Sequence, residues 1–172
     1  LHNGPQSAGA DPGPACYGRG NDVPTNTDAN VALGRLGTSL AGGNITLDRG
    51  AAETAVKTGV AEPLGMSMDD AAKSIVSVAN ANMADAVRLI SISRGYDPRD
   101  FALVAFGGAG ALHGVALAKE LAIPTVIVPP NPGVTSALGC LLVDIRHDLA
   151  QSYLKSASEA DAGDIEAKFA EM

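Results

Sequence analysis

Apolar residues recur along this chain in two rhythms, and each predicts a different kind of element. Between residues 67 and 95 the spacing is helical: Ile75, Val78, Ala79, Met83, Ala86, Val87 and Ile90 fall three and four apart. Ser67 is the predicted N-cap, Asp69 and Asp70 suit the positive end of the helix dipole, and Gly95 is the predicted stop. Asn80 and Asn82 sit in mid-helix, where Asn is a poor helix former, and read as exposed polar positions. A second helix is predicted over 48–62, with Ala52, Ala55 and Val56 on one side and Pro63 and Gly65 ending it. A short third helix is capped by Thr27 or Asp28, runs to Leu36, and is broken by Gly42 and Gly43.

From residue 101 the rhythm changes. The apolar run 101–106 predicts a buried strand, 107–110 a turn, and 111–121 a helix. The β-branched run 125–128 predicts a second strand, 129–133 a turn, and 135–143 another helix. This order predicts an α/β fold with a parallel strand pair. Beyond Asp144 the chain turns polar, with Ile165, Phe169 and Met172 on one face of a closing helix. Residues 1–27 hold nine Gly and Pro residues and read as one long loop. Neither an internal repeat nor a low-complexity tract is evident.

Composition narrows the picture. The 172 residues are 46% hydrophobic and 18% charged, which suits one globular domain. With no Trp, three Phe and three Tyr, the core must come from Ala, Val, Leu and Ile. A net charge of −7 argues against a nucleic-acid or anionic-membrane surface, although backbone N–H groups can still hold phosphate. Two cysteines are too few for a disulfide scaffold or a Cys-rich zinc site, so a reduced, cytoplasmic protein is expected. The uncharged stretches 101–118 and 121–143 are interrupted by Gly, His and Pro, which predicts buried strand–turn–helix units and no membrane span. The first residue is Leu1 and no leader pattern follows, so the chain reads as a piece of something longer.

Three segments could carry chemistry. Gly107, Gly108, Ala109 and Gly110 lie between a strand and a helix, where backbone can approach a ligand and the helix N-terminus favours anions. Close packing is the competing explanation, and the motif is neither a Walker loop nor a full dinucleotide fingerprint. The second segment, Gly133–Gly139 with Ser136, follows the other strand. Two such turns after adjacent parallel strands would share one sheet edge. The third is the loop Ser7–Gly20, which brings Asp11, Cys16, Tyr17 and Arg19. Arg19 offers a fork for a carboxylate or phosphate, and Asp11 a further polar contact. Asp11 and Asp28 are possible magnesium ligands, or simply a solvated loop acid and a helix cap. No base is evident to activate Cys16, so it reads as a bystander thiol. His2, His113 and His147 lack metal-ligand spacing, and His113 reads as a packing residue.

The strings SAGADPGPACYGRG, PTNTDANVALGRL, NANMADAVRLISISRGYDPRDFALVAFGGAGALHG and VPPNPGVTSALGCLLVDIRHD resemble the hydantoinase A / 5-oxoprolinase family over residues 4–148. That resemblance implies an actin-like ATPase (ribonuclease H-like) domain closing over ATP and Mg2+. Residues 1–148 would belong to its second nucleotide-binding half, 45–95 to a helical insertion, and 149–172 to a polar helical tail. It implies ATP-dependent opening of a cyclic imide or lactam, such as hydantoin or 5-oxoproline, by phosphorylation of the ring carbonyl oxygen and attack of water. A hydantoinase B-type partner subunit or domain is implied as well. Within that pattern, Phe106–Gly110 resembles the adenosine-side turn, with Gly107, Gly108, Ala109, Gly110, Gly133 and Ser136 as cofactor contacts. Asp11, Arg19 and Asp28 are the catalytic candidates. The family's two phosphate loops have no counterpart here, and Gly20-Asn21 departs from its usual Gly-Gly. The piece alone is therefore expected to be inactive and prone to self-association. Two alternatives stand beside this reading: a subunit of an acetone- or acetophenone-type carboxylase, and a non-catalytic interaction module.

Overall fold

Helix α4 (Met68–Ile92) is the longest element described, and its two halves pack on different neighbours. The structure, a computed structural model, describes residues 1–172, the side chain of Ala41 excepted. The chain divides into two compact units, residues 1–136 and 137–172.

In the first unit, α1 (Asn26–Ala32), α2 (Arg49–Val56), a π-helical turn (Lys57–Ala61) and α3 (Glu62–Leu64) precede α4. Ala71, Ala72, Ile75 and Val76 of α4 meet Ala29 and Ala32 of α1, Val56 of α2, and Val60 and Ala61 of the π turn. Small side chains here let helix backbones approach closely and exclude water without aromatic bulk. The predicted third helix is α1: it begins at Asn26 behind an N-cap at Thr25, earlier than the sequence suggested, and ends at Ala32, before Leu36. Thr25 and Asp28 form a reciprocal capping box, which makes Asp28 the third helical residue rather than the cap. A short antiparallel hairpin follows, β1 (Ser39–Leu40) and β2 (Ile45–Thr46), which apolar periodicity gave no sign of.

The second half of α4 lies against α5 (Gly110–Glu120), with Ala84 and Val87 meeting Ala118, Leu121 and Leu117. Strands β3 (Ala102–Val104) and β4 (Thr125–Ile127) pair in parallel, Leu103 opposite Val126. The strand–turn–helix order is as read from sequence, but the strands are not buried. Val104 is 50% exposed and Phe106 47%. Parallel strands carry apolar residues on both faces, and α5 covers only one of them. Helix α6 (Thr135–Leu142) likewise has no buried residue.

By length and composition α4 could cross a membrane. Ala71, Ala72, Ile75 and Val76 of that helix are instead covered by α1, α2 and the π turn, and Ala84 and Val87 by α5, while Leu89, Ile90 and Ile92 stay exposed. In the second unit, α7 (Ala162–Glu171) starts at Asp161, whose carboxylate accepts from Gly163 N–H at 2.8 Å. Lys155 pairs with Asp164 there.

Candidate functional site

Two glycine-bearing turns meet at the C-terminal end of the β3–β4 pair. The ladder runs past the strands through Ala105 N–H, which donates to Ile127 C=O at 2.9 Å. Two residues on, Gly107 N–H donates to Pro132 C=O at 2.8 Å, tying the turn after β3 to the turn after β4. Gly107 adopts φ +88°, which an L side chain resists. Gly108 and Gly133 each face open space: a Cβ added at either would meet nothing within 4 Å. Helix α5 begins immediately after, with no side-chain cap on its first turn. The result is an open backbone-lined ledge beside a free helix N-terminus, a place suited to anionic or planar groups.

Gly114 explains why α5 sits so low on the sheet. A Cβ there would lie 2.9 Å from Ala105 Cβ and 3.4 Å from Val126 Cγ1. No local pattern singles out this glycine, because close approach is a property of the partner as much as of the residue.

Asp28 is fully buried, and its carboxylate is fully engaged. Oδ1 accepts from Cys16 N–H at 2.8 Å. Oδ2 accepts from Ala15 N–H at 3.2 Å, Thr25 N–H at 2.9 Å and Thr25 Oγ1–H at 2.7 Å. It welds the Ser7–Gly20 loop to α1, and it is in no position to reach a substrate or a magnesium ion. Among the described residues, no group of three His, Cys, Asp or Glu side chains could hold a metal. Cys16 is enclosed in the same cluster. Burial, then the Asp28 carboxylate, pushes its thiol up to about 12, so it stays protonated and unreactive. Cys140 is exposed.

Arg19 and Asp11 both lie on the exposed outer side of the loop. Arg19 Nη1 donates to Ala10 C=O at 2.8 Å, and its guanidinium lies 5.6 Å from the centre of the Tyr17 ring. A cleft of about 820 Å³ opens nearby, lined by Asn3, Gly4, Gln6, Ser7, Asn26, Val60 and Ile75 among others, but by neither Asp11 nor Arg19. The structure therefore does not bring the three sequence candidates together. Ser136, in α6, is exposed beside the second turn.

Two polar residues that the sequence left as bystanders do meet. Asn80 Oδ1 lies 2.7 Å from His113 Nδ1, joining α4 to the first turns of α5. Burial, with a smaller push from Arg35, lowers the His113 pKa. This environment favours the neutral imidazole. Helical periodicity had flagged Asn80 as out of place; nothing local could have named its partner.

Comparisons with known proteins give the family. The profile of the hydantoinase/oxoprolinase family matches residues 1–149. Caprolactamase subunit alpha of Pseudomonas jessenii is 49% identical over 149 residues, which is 86% of this chain and 21% of that protein. Acetophenone carboxylase gamma subunit of Aromatoleum aromaticum is 42% identical over 88% of this chain and 21% of that one. The yeast Saccharomyces cerevisiae 5-oxoprolinase is 37% identical over 83% of this chain and 12% of its own length. The crystal structure of the ATP-dependent caprolactamase superposes with a TM-score of 0.76, over 84% of this chain and 21% of that one. The chain thus spans about a quarter or less of its relatives' length. With a match running from the glycine-rich loop through both turns of the parallel pair, the chain belongs to the hydantoinase/oxoprolinase family.

Proposed function

We propose that this chain is a nucleotide-binding segment of an ATP-dependent hydrolase that opens cyclic amides, of the hydantoin or 5-oxoproline class, on an actin-like ATPase fold. One observation carries the reading. The turns after β3 and β4 are bonded to each other through Gly107 and Pro132, and they leave open space over Gly108 and Gly133. That ledge is where an α/β sheet receives a ligand, outside the carboxyl ends of its strands. Relatives named caprolactamase and 5-oxoprolinase support a cyclic amide as the substrate, and the ATP-dependent caprolactamase supports ATP.

The residues present fit the adenosine side of the nucleotide. Gly107, Gly108, Ala109 and Gly110 would lie against base or ribose, with Gly133 and Ser136 across from them. ATP supplies the phosphoryl group that makes a ring carbonyl electrophilic enough for water. Magnesium accompanies the triphosphate in this reading, but Asp28 does not fit as its ligand, and no step here runs through it. Residues 45–95 form the helical insertion of the half-domain. Asp11 and Arg19 stay candidates for contacts to the substrate or to a partner subunit of hydantoinase B type. The relatives named as subunits support such a partner. A cytoplasmic location fits the two unpaired cysteines.

The test uses the complete protein. Gly108→Trp should abolish ATP binding in calorimetric titration while leaving the melting temperature unchanged, because the new side chain meets only the ligand's space. Equal loss of stability and binding would return the turn to a packing role. ATP hydrolysis stimulated by hydantoin, 5-oxoproline or caprolactam is the expected outcome. Stimulation only by acetone with bicarbonate would move the protein to the carboxylases.

A further inference from the structure

The helices α4 and α5 run side by side in the same direction. Asn80 meets His113 at one end, Val87 and Leu117 pack between, and Arg88 binds Glu120 at the other end through Nη2 at 3.1 Å. The far pair is exposed and contributes little. The near pair is different: His113 is 8% exposed, and an Asn in mid-helix is held against its own preference. The Asn80 oxygen can only accept, so Nδ1 of the ring carries the proton. The second ring nitrogen, Nε2, then bears a lone pair. Among the described residues it has no hydrogen-bond partner, and it is not sealed from solvent.

We infer that Asn80 and His113 form a positioning pair, in which Asn80 fixes the imidazole so that His113 Nε2 accepts a hydrogen bond from a hydroxyl or amine of a nucleoside bound at the Gly107–Gly110 turn. His113 stands three residues past Gly110, in the first turns of the helix that this turn opens. The inference rests on the nucleotide reading above and adds a recognition element that no glycine can supply. A backbone ledge fits any planar or anionic group; an oriented acceptor discriminates for a donor. The helical insertion thereby acts on the ligand through one hydrogen bond, with Asn80 as a positioning residue. Its environment favours the neutral ring. Arg35 is the charge that reaches it, while Asp85 of α4 and Glu120 of α5 are engaged by Arg88 at the opposite end.

Two variants of the complete protein test this, read by ATP titration at several pH values. His113→Asn should weaken ATP by about tenfold, the size of one lost hydrogen bond. Three ligand arms identify the donor: 2′-deoxy-ATP, 3′-deoxy-ATP and the purine analogue without the exocyclic amine. One of them should bind the wild type about tenfold more weakly than ATP and bind His113→Asn equally. Asn80→Asp keeps the imidazole but places a carboxylate on Nδ1, favouring the cation and turning Nε2 into a donor. ATP binding by this variant should fail at a pH about one unit higher than in the wild type. A purely structural pair would shift stability but not that pH. Should His113→Asn fail to fold, Asn80→Asp carries the test alone. The inference is overturned if both variants follow the wild-type ATP affinity and pH profile. If Gly108→Trp abolishes binding while the His113 variant does not weaken it, this inference fails and the nucleotide reading stands. No ATP binding by the wild type at any pH removes both.

Discussion

The helical half of the first unit and its sheet end use the same small apolar alphabet with opposite results. Around α1, α2, the π turn and α4, residues such as Ala29, Val56, Ala71 and Ala72 are sealed. Around β3 and β4, Val104, Phe106, Ile127 and Val128 remain about half exposed. Helices can surround one another, so three short elements and one half of α4 close a core by themselves. A parallel strand pair needs a layer on each face and a neighbour at each edge, and α5 supplies one layer. Cohesion therefore concentrates in the helical half, while the ledge that would receive a ligand sits on the half with least support. Such placement is expected where binding has to reorganise its surroundings.

The sharpest way to break this contrast is Asp28→Ala. Removing one buried carboxylate orphans the amides of Ala15, Cys16 and Thr25 together, and should lower unfolding free energy by about 3–5 kcal/mol in urea denaturation. A loss below about 1 kcal/mol would show that the loop holds to α1 by other means. Next comes a matched pair of truncations. Val56→Ala, in the sealed cluster, should cost about 2 kcal/mol, whereas Val104→Ala on the open strand should stay within about 0.5 kcal/mol. Equal costs would mean that the sheet face is covered in solution.

Glycine substitutions sharpen the same comparison inside the sheet end. Gly114→Ala gains helix propensity but places a methyl 2.9 Å from Ala105 Cβ, and should destabilise by about 1–2 kcal/mol. Gly108→Ala meets no atom within 4 Å and should leave the melting temperature unchanged. The smallest effect is the pH dependence of His113. Its pKa is lowered in the folded chain, so the unfolded chain takes up the proton first as pH falls. Stability is full above the unfolded value near 6.5 and is lost below it, with a slope of at most about 1.4 kcal/mol per pH unit. Urea midpoints measured at pH 5.5 and 7.5 should differ in the wild type, and His113→Asn should flatten the part of that difference due to this group.

Much of the frame was legible from local pattern alone. The long helix with its Ser67 cap, the helical run begun at Asp48, and the strand–turn–helix order after residue 101 all follow from spacing, caps and breakers, which act within a few residues; the predicted stop at Pro63 did not hold, because the run continues through a π turn to Leu64 and ends at Gly65. The family followed from ordered strings of glycine, proline and acid that the chain displays directly. What periodicity could not decide was anything that depends on a second segment. Asp28 could be cap, ligand or catalyst until Ala15 and Cys16 were brought to its oxygens from thirteen and twelve residues away. Gly114 was one glycine among twenty until Ala105 came within contact of its absent side chain. His113 and Asn80, thirty-three residues apart, became a pair only when α4 and α5 packed in parallel. Burial of the strands was misjudged for the same reason: an apolar run records what a strand is made to touch, and the tertiary structure alone decides which of those contacts this chain supplies. Local chemistry fixes backbone conformation because its forces are short-ranged along the chain. Proton positions, close approaches and exposure are set by neighbours in space, and those are chosen only when the whole unit folds.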